Sequence, residues 1–303
     1  MKLYVYRAEV TNFGDELNEW LLPRIFPDFF DGDEGTIMLA IGSVLYEHEP
    51  RTSTKIVFGS GYGGYQPLPA FDNSWRFYGV RGPRTARACG LDSGLVSGDT
   101  AIIINRFLPE LARAKRYRCS FMPHWQSIPR GNWQKACELA GIHFIDPRAP
   151  VPDVLDELMA SEMVLAEAMH GAIVADALRV PWVPILPIDR SHHMKWYDWA
   201  EALDLTLNPQ KVASSSLLEA GVAYFGRERQ KLKRSSGLTG LAVAMADRVC
   251  VQRAAHDLAK ASRVTPSLSS DRAISHAVDR LERAAERIVQ DFPAKVRIPE
   301  EGR

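Results

Sequence analysis

One histidine lies where a buried strand is expected to pass into a helix. The apolar residues Met163–Ala166 predict a strand of a parallel sheet, and the small and aliphatic residues after Gly171 predict a helix that packs on it. His170 stands between them, at the sheet edge where α/β proteins bind ligands and beside helix amides that attract anions. A histidine there can donate a proton or bind phosphate. It can equally be a helix cap, and the local sequence leaves both roles open.

A second group of residues that could take part in catalysis follows the first predicted strand. Asn12, Gly14 and Asp15 precede a helix that we predict from Glu16 to Ile25. Gly14 allows a ligand to approach the backbone closely. The Asp15 carboxylate can orient an acceptor hydroxyl or take its proton. A cap of the helix by Asn12 or Asp15 is the plainer interpretation.

Two further strand ends carry a glycine-rich loop and a pair of arginines. Ser60 and Gly61 belong to a loop that leaves room for a ligand or forms only a turn, and it matches neither a dinucleotide fingerprint nor a P-loop. Arg81 and Arg84 flank Pro83, a residue typical of a first helical turn. Guanidinium groups at a helix amino end predict an anion site.

The second half of the chain adds candidate contacts to a sugar or a phosphate. His124 can donate to either group, Trp125 can stack on a sugar ring, and Lys195 can neutralise a phosphate. His124 and Trp125 can instead serve a purely structural role. The adjacent His192 and His193 lack a carboxylate or cysteine at a familiar zinc-ligand spacing, so we predict no metal site.

Short apolar runs that alternate with helical patterns predict the elements that hold these residues. The pattern indicates a parallel α/β architecture with two Rossmann-like domains, at 1–110 and 111–205, and a ligand site in the cleft between them. The predicted strands of the first domain are Leu3–Tyr6, Ile37–Ile41, Lys55–Phe58, Arg76–Val80 and Ala101–Ile104. Those of the second are Cys119–Met122, His143–Ile145, Met163–Ala166 and Trp182–Ile185.

Residues 206–303 predict a helical C-terminal extension. Helical patterns cover 214–234, 238–262 and 271–291, and the last has one apolar face formed by Ile274, Val278, Leu281, Ala285 and Ile288. This face can pack on the body of the chain or on a second subunit, which would make a homo-oligomer. The basic run Arg227–Arg234 is either a solvated helix end or a contact with anionic lipid or a diphosphate.

Composition excludes several classes of protein. The chain has 303 residues, of which 46% are hydrophobic and 24% charged, with a formal net charge of zero, so a general nucleic-acid binder is not expected. Its four cysteines are widely spaced without a CxxC pair, which favours a reducing compartment over a zinc site or a disulfide scaffold. We see no signal peptide and no run near the roughly 18 apolar residues of a membrane span. We therefore expect a cytoplasmic protein whose membrane contact, if any, is peripheral.

The ordered combination of motifs resembles one family. The polysaccharide pyruvyl transferases, and most closely the exopolysaccharide ketalases of succinoglycan and xanthan synthesis, are similar over residues 1–205. The motifs that carry the resemblance are Asn12–Asp15, Phe58–Gly61, Val80–Thr85, Gly98–Asp99, Met169–Ala172 and Lys195 ahead of a tryptophan-containing helix. Taken without the other motifs, Asp99 indicates no more than a turn.

The resemblance implies a GT-B-like fold and a specific reaction. Phosphoenolpyruvate would be the donor, without a further cofactor, and a lipid-linked oligosaccharide at the inner face of the cytoplasmic membrane would be the acceptor. The product would be a pyruvate ketal that bridges two hydroxyls of a hexose. On this hypothesis the catalytic residues are His170, Asp15 and Glu167. The substrate-binding residues are Asn12, Gly14, Ser60, Gly61, Arg81, Arg84, His124, Trp125, Gly171 and Lys195.

One position departs from the family pattern. Much of the family has Arg-x-His-Gly, and here Ala168 occupies the arginine position. Arg81, Arg84 or Lys195 would then supply the missing charge. Two other functions stay open: a glycosyltransferase that uses a nucleotide sugar, and a non-catalytic sugar-binding relative, which the alanine favours.

Overall fold

Two parallel four-stranded sheets form the centre of the molecule in the computed structural model, which describes residues 1–108, 114–225 and 238–293. The first sheet has the order β1-β2-β3-β4 and the second β6-β5-β7-β8. Each of these strands overlaps a predicted one, so the α/β prediction is confirmed. The strands are β1 (Lys2–Leu3), β2 (Thr36–Leu39), β3 (Thr54–Ser60), β4 (Trp75–Val80), β5 (Ser120–Met122), β6 (His143–Phe144), β7 (Val164–Ala166) and β8 (Trp182–Pro184).

The central strands are buried on both faces. Ile56, Val57 and Phe58 of β3 have no exposed surface, as the continuous apolar runs predict for parallel strands. The helices are α1 (Phe13–Ile25), α2 (Pro83–Ala88), α3 (Trp133–Ala140), α4 (Val151–Met159), α5 (Met169–Ala177), α6 (His193–Ala202), α7 (Leu217–Phe225), α8 (Leu238–Ala261) and α9 (Asp271–Asp291). The helical nature of the C-terminal part is thereby confirmed over the described residues.

The prediction of a strand at Ala101–Ile104 is wrong. These residues belong to a 3-10 helix, Thr100–Phe107, which packs against α5. The carboxylate of Asp99 accepts a hydrogen bond from the Ala101 amide and caps this helix. A fully buried strand and a buried helical turn both read as an apolar run, so periodicity could not separate them.

The chain returns twice from the second sheet to the first. Helix α6 follows β8 but packs against α2, and α9 packs against β3 and β4, whereas α8 packs on α3 of the second half. The boundaries at 110 and 205 stay a prediction.

Helix α9 packs against the body of its own chain. Its apolar face joins the main core, with Ile274, Val278, Leu281 and Ile288 buried and Ala285 packed at the edge. Of the two predicted alternatives, packing on the body is therefore the observed one, and this face is not available to a second subunit.

Two observations bear on the membrane. Among the described residues, no helix is both long and apolar enough to cross a bilayer. The basic run Arg227–Arg234 lies outside the described residues.

Candidate active site

A cavity of about 260 Å³ lies between the two halves of the molecule, at the carboxyl ends of the strands. The first half contributes Asn12–Asp15, where α1 begins after β1, and the second contributes Ala168–His170, where α5 begins after β7. His124 follows β5, and β5 and β7 are the neighbours between which the strand order of the second sheet reverses. Ligands of open α/β sheets bind at such a switch point.

The cavity brings together seven of the predicted site residues from distant parts of the sequence. Two helices, α1 and α5, direct their amino ends at it, so the helix dipoles favour an anion there. The predicted residues that line it are Asn12, Gly14, Asp15, His124, Trp125, His170 and Lys195. Within the described parts of the chain, histidine, cysteine and carboxylate side chains do not cluster in threes as metal ligands do.

His170 fits directly against the backbone of α1. A Cβ atom on Gly14 would lie 2.1 Å from Nδ1 of the imidazole and 2.8 Å from its Cγ, so only glycine admits the ring in this place. On the other side of the ring, Nε2 lies 3.7 Å from Oδ2 of Asp99, whose side chain has no exposed surface. The imidazole is thus enclosed between the start of α1 and a buried carboxylate.

Asp15 keeps its carboxylate in the cavity because Asn12 does the capping. The Asn12 Oδ1 accepts a hydrogen bond from the Asp15 amide at 3.2 Å, and the Asn12 Nδ2 donates to Asp15 Oδ2 at 2.5 Å. Burial raises the pKa of Asp15, against the opposing effects of the Asn12 hydrogen bond and of the charges on His170 and Lys195. A raised pKa makes this carboxylate a stronger base than an exposed one.

Lys195 is the cation of the cavity wall. It lies on α6, and its ammonium group makes no ion pair with a carboxylate of the described residues. Burial lowers the pKa of Lys195 to about 8, and the nearby Arg81 charge acts in the same direction. A bound anion would raise this pKa again, so the site favours a negatively charged ligand.

Arg81 lies next to the cavity but does not line it. It is fully buried, and its Nε donates to Asp198 Oδ2 at 3.0 Å while Nη1 donates to Ser43 Oγ at 2.8 Å. Asp198 also accepts from the Thr85 amide and hydroxyl. Asp198 lies on α6, one turn beyond Lys195, so Arg81 fixes the helix that carries the cavity's cation.

Arg84 is likewise occupied. Its Nη2 donates to Glu201 Oε1 at 2.6 Å, and its guanidinium lies 4.9 Å from the Tyr197 ring centroid. Both arginines therefore attach α6 to the first half, and neither lines the cavity.

Three of the predicted residues serve packing behind the wall. Ser60 donates from Oγ to the Gly42 carbonyl at 3.1 Å. A Cβ on Gly61 would lie 2.1 Å from Arg81 Cζ, and a Cβ on Gly171 would lie 2.6 Å from Met122 Sδ. The two glycines thus allow a buried arginine and a strand methionine to approach the backbone.

Glu167 supports the loop that presents His124. Its carboxylate is buried and accepts from the His124 amide at 2.7 Å and from Ser127 Oγ at 3.0 Å. Burial, together with the nearby Glu219, raises the pKa of Glu167 to about 8. Because this group does not line the cavity, the structure places it behind the site and not beside the reacting atoms.

The sequence analysis did not identify several residues that line the outer part of the cavity, which we call the rim. Tyr65 on the loop after β3 shares a hydrogen bond of 2.6 Å with His192 Nδ1, and His192 Nε2 lies 3.3 Å from Gln126 Oε1. The rim residues that the sequence analysis did not select as site residues are Tyr6, Tyr46, Tyr65, Gln66, Gln126 and His192. Single aromatic and amide residues in loops carry no local signal. Their polar groups and ring faces suit a carbohydrate.

The chain is similar to known proteins over most of its length. Residues 28–189 match the sequence profile of the family described as polysaccharide pyruvyl transferase. The chain is 34% identical, over 318 aligned positions, to the succinoglycan biosynthesis protein ExoV of Rhizobium meliloti (strain 1021); the alignment covers 96% of this chain and all of that protein. A structure of the wall teichoic acid polymerase TagF covers 84% of this chain and 73% of its own at 10% identity, with a TM-score of 0.30, too low to support an argument.

Proposed function

The chain belongs to the polysaccharide pyruvyl transferase family, and we propose that it transfers the pyruvyl group of phosphoenolpyruvate to a hexose of a lipid-linked exopolysaccharide repeat unit. Phosphate is released, and a cyclic pyruvate ketal forms across two hydroxyls of the sugar. The observation that carries the proposal is the meeting of Asp15, His170 and Lys195, from both halves of the molecule, in one cavity. On this view the two sheets are the Rossmann-like halves of a GT-B-like fold.

We expect the donor to bind where the amino ends of α1 and α5 meet Lys195 in the cavity. Phosphoenolpyruvate carries a phosphate and a carboxylate, and both suit the amino ends of α1 and α5 and the Lys195 ammonium group. Among the residues that the structure describes, no arginine lines the cavity. Lys195 therefore takes the role of the guanidinium that Ala168 cannot supply.

His170 is the proposed general acid. The reaction begins when a proton moves from the imidazole to the methylene carbon of phosphoenolpyruvate, which becomes a methyl group and leaves C2 electron-deficient. The Lys195 charge and the helix amides stabilise the phosphate and carboxylate during this step.

Asp15 is the proposed general base. It takes the proton of the first acceptor hydroxyl as that oxygen bonds to C2. The bond between C2 and the phosphate oxygen then breaks, and phosphate leaves with the electron pair. The second hydroxyl closes the ring at C2. Of the two hydroxyl protons, one balances the proton in the new methyl group and the other leaves on the phosphate, so no further cofactor is needed.

The acceptor enters over the aromatic rim. Trp125 and Tyr65 present aromatic rings there, and His124 lines the same cavity, where we expect all three to contact a sugar that reaches Asp15. A lipid-linked acceptor would bring the protein to the cytoplasmic face of the membrane as a peripheral contact, without nucleic acid as a partner.

The test is turnover with labelled phosphoenolpyruvate and a lipid-linked oligosaccharide extract. We expect acceptor-dependent phosphate release and a product whose mass has increased by pyruvic acid less one water. His170→Asn should abolish both signals. His276→Gln, at an exposed histidine of α9, is the matched control and should keep them.

Two other results would overturn the proposal. Stabilisation by UDP or GDP, with no phosphate release from phosphoenolpyruvate, would indicate a glycosyltransferase. Binding of phosphoenolpyruvate without turnover on any acceptor would indicate a non-catalytic relative.

A further inference from the structure

Asp99 is a fully buried carboxylate whose two oxygens have unequal surroundings. Oδ1 accepts a hydrogen bond from the Ala101 amide at 3.0 Å and caps the 3-10 helix that follows. Oδ2 is buried and makes no hydrogen bond with any described residue. A buried carboxylate oxygen without a partner costs free energy, so its persistence calls for an explanation beyond the cap.

The atom that faces this oxygen is also buried and unpaired. His170 Nε2 lies 3.7 Å from Asp99 Oδ2 and has no hydrogen-bond partner among the described residues. Two complementary groups therefore face each other at slightly more than hydrogen-bond distance, across the junction between the two halves. Hydrogen bonds of this kind are often long in ligand-free sites and shorten when substrate binds.

The orientation of the ring decides which nitrogen reaches the cavity. Nε2 is enclosed on the Asp99 side, whereas Nδ1 borders Gly14, whose backbone lines the cavity together with the imidazole. Nδ1 is therefore the nitrogen that can exchange a proton with a ligand.

We propose that Asp99 is a positioning residue: it accepts Nε2–H of His170 and so makes Nδ1 the proton-donating atom of the active site. The catalytic consequence rests on the proposed function of His170. A carboxylate that accepts one N–H of an imidazole selects one tautomer and fixes the orientation of the ring. The tautomer itself is a property of the protein without substrate.

Other charges reach the same ring. Asp15 on α1 also interacts electrostatically with His170, and the Lys195 ammonium on α6 interacts with both Asp15 and Asp99. Loss of the Asp99 charge therefore leaves a ring that still experiences Asp15. The choice of tautomer, more than the total charge, is what Asp99 controls.

A second aspartate provides a matched control for the cap. Asp92 caps the short 3-10 helix Ser93–Leu95 by accepting from the Gly94 amide at 2.7 Å, in the same way that Asp99 caps its own helix, but Asp92 is exposed. An asparagine at either position keeps the capping oxygen and loses the charge. A difference between the two variants thus reports on the contact with His170.

The experiment is nitrogen NMR of the full chain labelled at histidine, with the His170 signals assigned by their loss in His170→Asn. In the wild-type protein we expect the neutral His170 ring to carry its proton on Nε2. Asp99→Asn should move the signals towards the other tautomer, and Asp92→Asn should leave them unchanged.

Turnover provides the second readout. Asp99→Asn should lower kcat by roughly 10²- to 10⁴-fold, the range of general acid–base catalysis, with less than a threefold change in KM for phosphoenolpyruvate. The control Asp92→Asn should keep wild-type kcat.

Each outcome decides a separate question. A wild-type ring protonated on Nδ1 would overturn the inference even if Asp99→Asn failed to fold, and so would identical His170 signals in wild type and Asp99→Asn. If the protein transferred no pyruvyl group at all, kcat would be lost as a readout. The tautomer would still test the Asp99 contact.

Discussion

Gly14→Ala tests whether the position of the His170 imidazole matters for turnover. The added Cβ would lie 2.1 Å from Nδ1, about 0.9 Å closer than the 3.0 Å below which real Cβ atoms are essentially never found. The ring must therefore move by about 1 Å. A misplacement of that size costs on the order of 10²-fold in rate. At about 1.4 kcal/mol for each factor of ten, this is about 3 kcal/mol of transition-state stabilisation.

The same substitution should affect stability much less. Alanine favours a helix over glycine by about 1 kcal/mol, and overpacking costs about 1–3 kcal/mol, so the free energy of unfolding should fall by about 2 kcal/mol or less. Acceptor-dependent phosphate release gives kcat/KM, and urea unfolding gives the stability.

The control is Gly221→Ala on α7, where an added Cβ would have nothing within 4 Å. This variant should keep wild-type kcat/KM. A folded Gly14→Ala protein with kcat/KM within twofold of wild type would refute the reasoning, because it would show that the enzyme does not depend on where this ring sits.

Three other perturbations separate the roles of the cavity residues from those behind them. With a Lys195 pKa of about 8, kcat/KM for phosphoenolpyruvate should fall about tenfold per pH unit above pH 8, and Lys195→Arg should remove this fall because a guanidinium stays charged. Arg81→Ala breaks a fully buried ion pair and should lower the unfolding free energy by about 3–5 kcal/mol in urea, whereas Arg84→Ala, at an exposed pair, should change it by about 0–1 kcal/mol. The pKa of Glu167 rises from an ordinary 4.5 to about 8, so the folded state binds more protons than the unfolded state between these values; the unfolding free energy should therefore fall as pH rises through this window, and Glu167→Gln should flatten the fall.

Each of these results has a contrary outcome. An unchanged alkaline limb in Lys195→Arg would assign the limb to another group. Equal stability of the two arginine variants would mean that the buried pair does not hold α6. A wild-type protein whose stability rises between pH 5 and pH 8 would contradict the burial of a protonated Glu167.

The loops that end the parallel strands could be predicted because their signals are local. Apolar runs indicate buried strands, and the residue types that follow them indicate a turn and the start of a helix. Asp15 and His170 were found in this way, and parallel topology then places such loops at one edge of a sheet.

Other assignments required contacts that the sequence does not display. Arg81 reads as an anion ligand until Asp198 is placed beside it, and the two lie 117 positions apart. Glu167 next to His170 in sequence reads as a catalytic partner. A residue at the end of a strand and the residues that open the following helix point in different directions, and Glu167 turns to the His124 amide. Tyr65 enters the site only because its loop crosses to His192.

The return of α6 and α9 to the first sheet affects how ligands reach the cavity. A hinge that separated the two halves would have to break either the Arg81–Asp198 pair, which holds α6 on the first half, or the contacts of Trp196 and Trp199 of α6 with Trp182 of β8, and it would also bend the linker between the sheets. Such an opening is far more costly than the movement of surface side chains. Ligands should therefore enter and leave the cavity past the half-exposed side chains of Tyr6 and Tyr65. Movements of these two side chains, and not a domain motion, should then set the rate of ligand exchange.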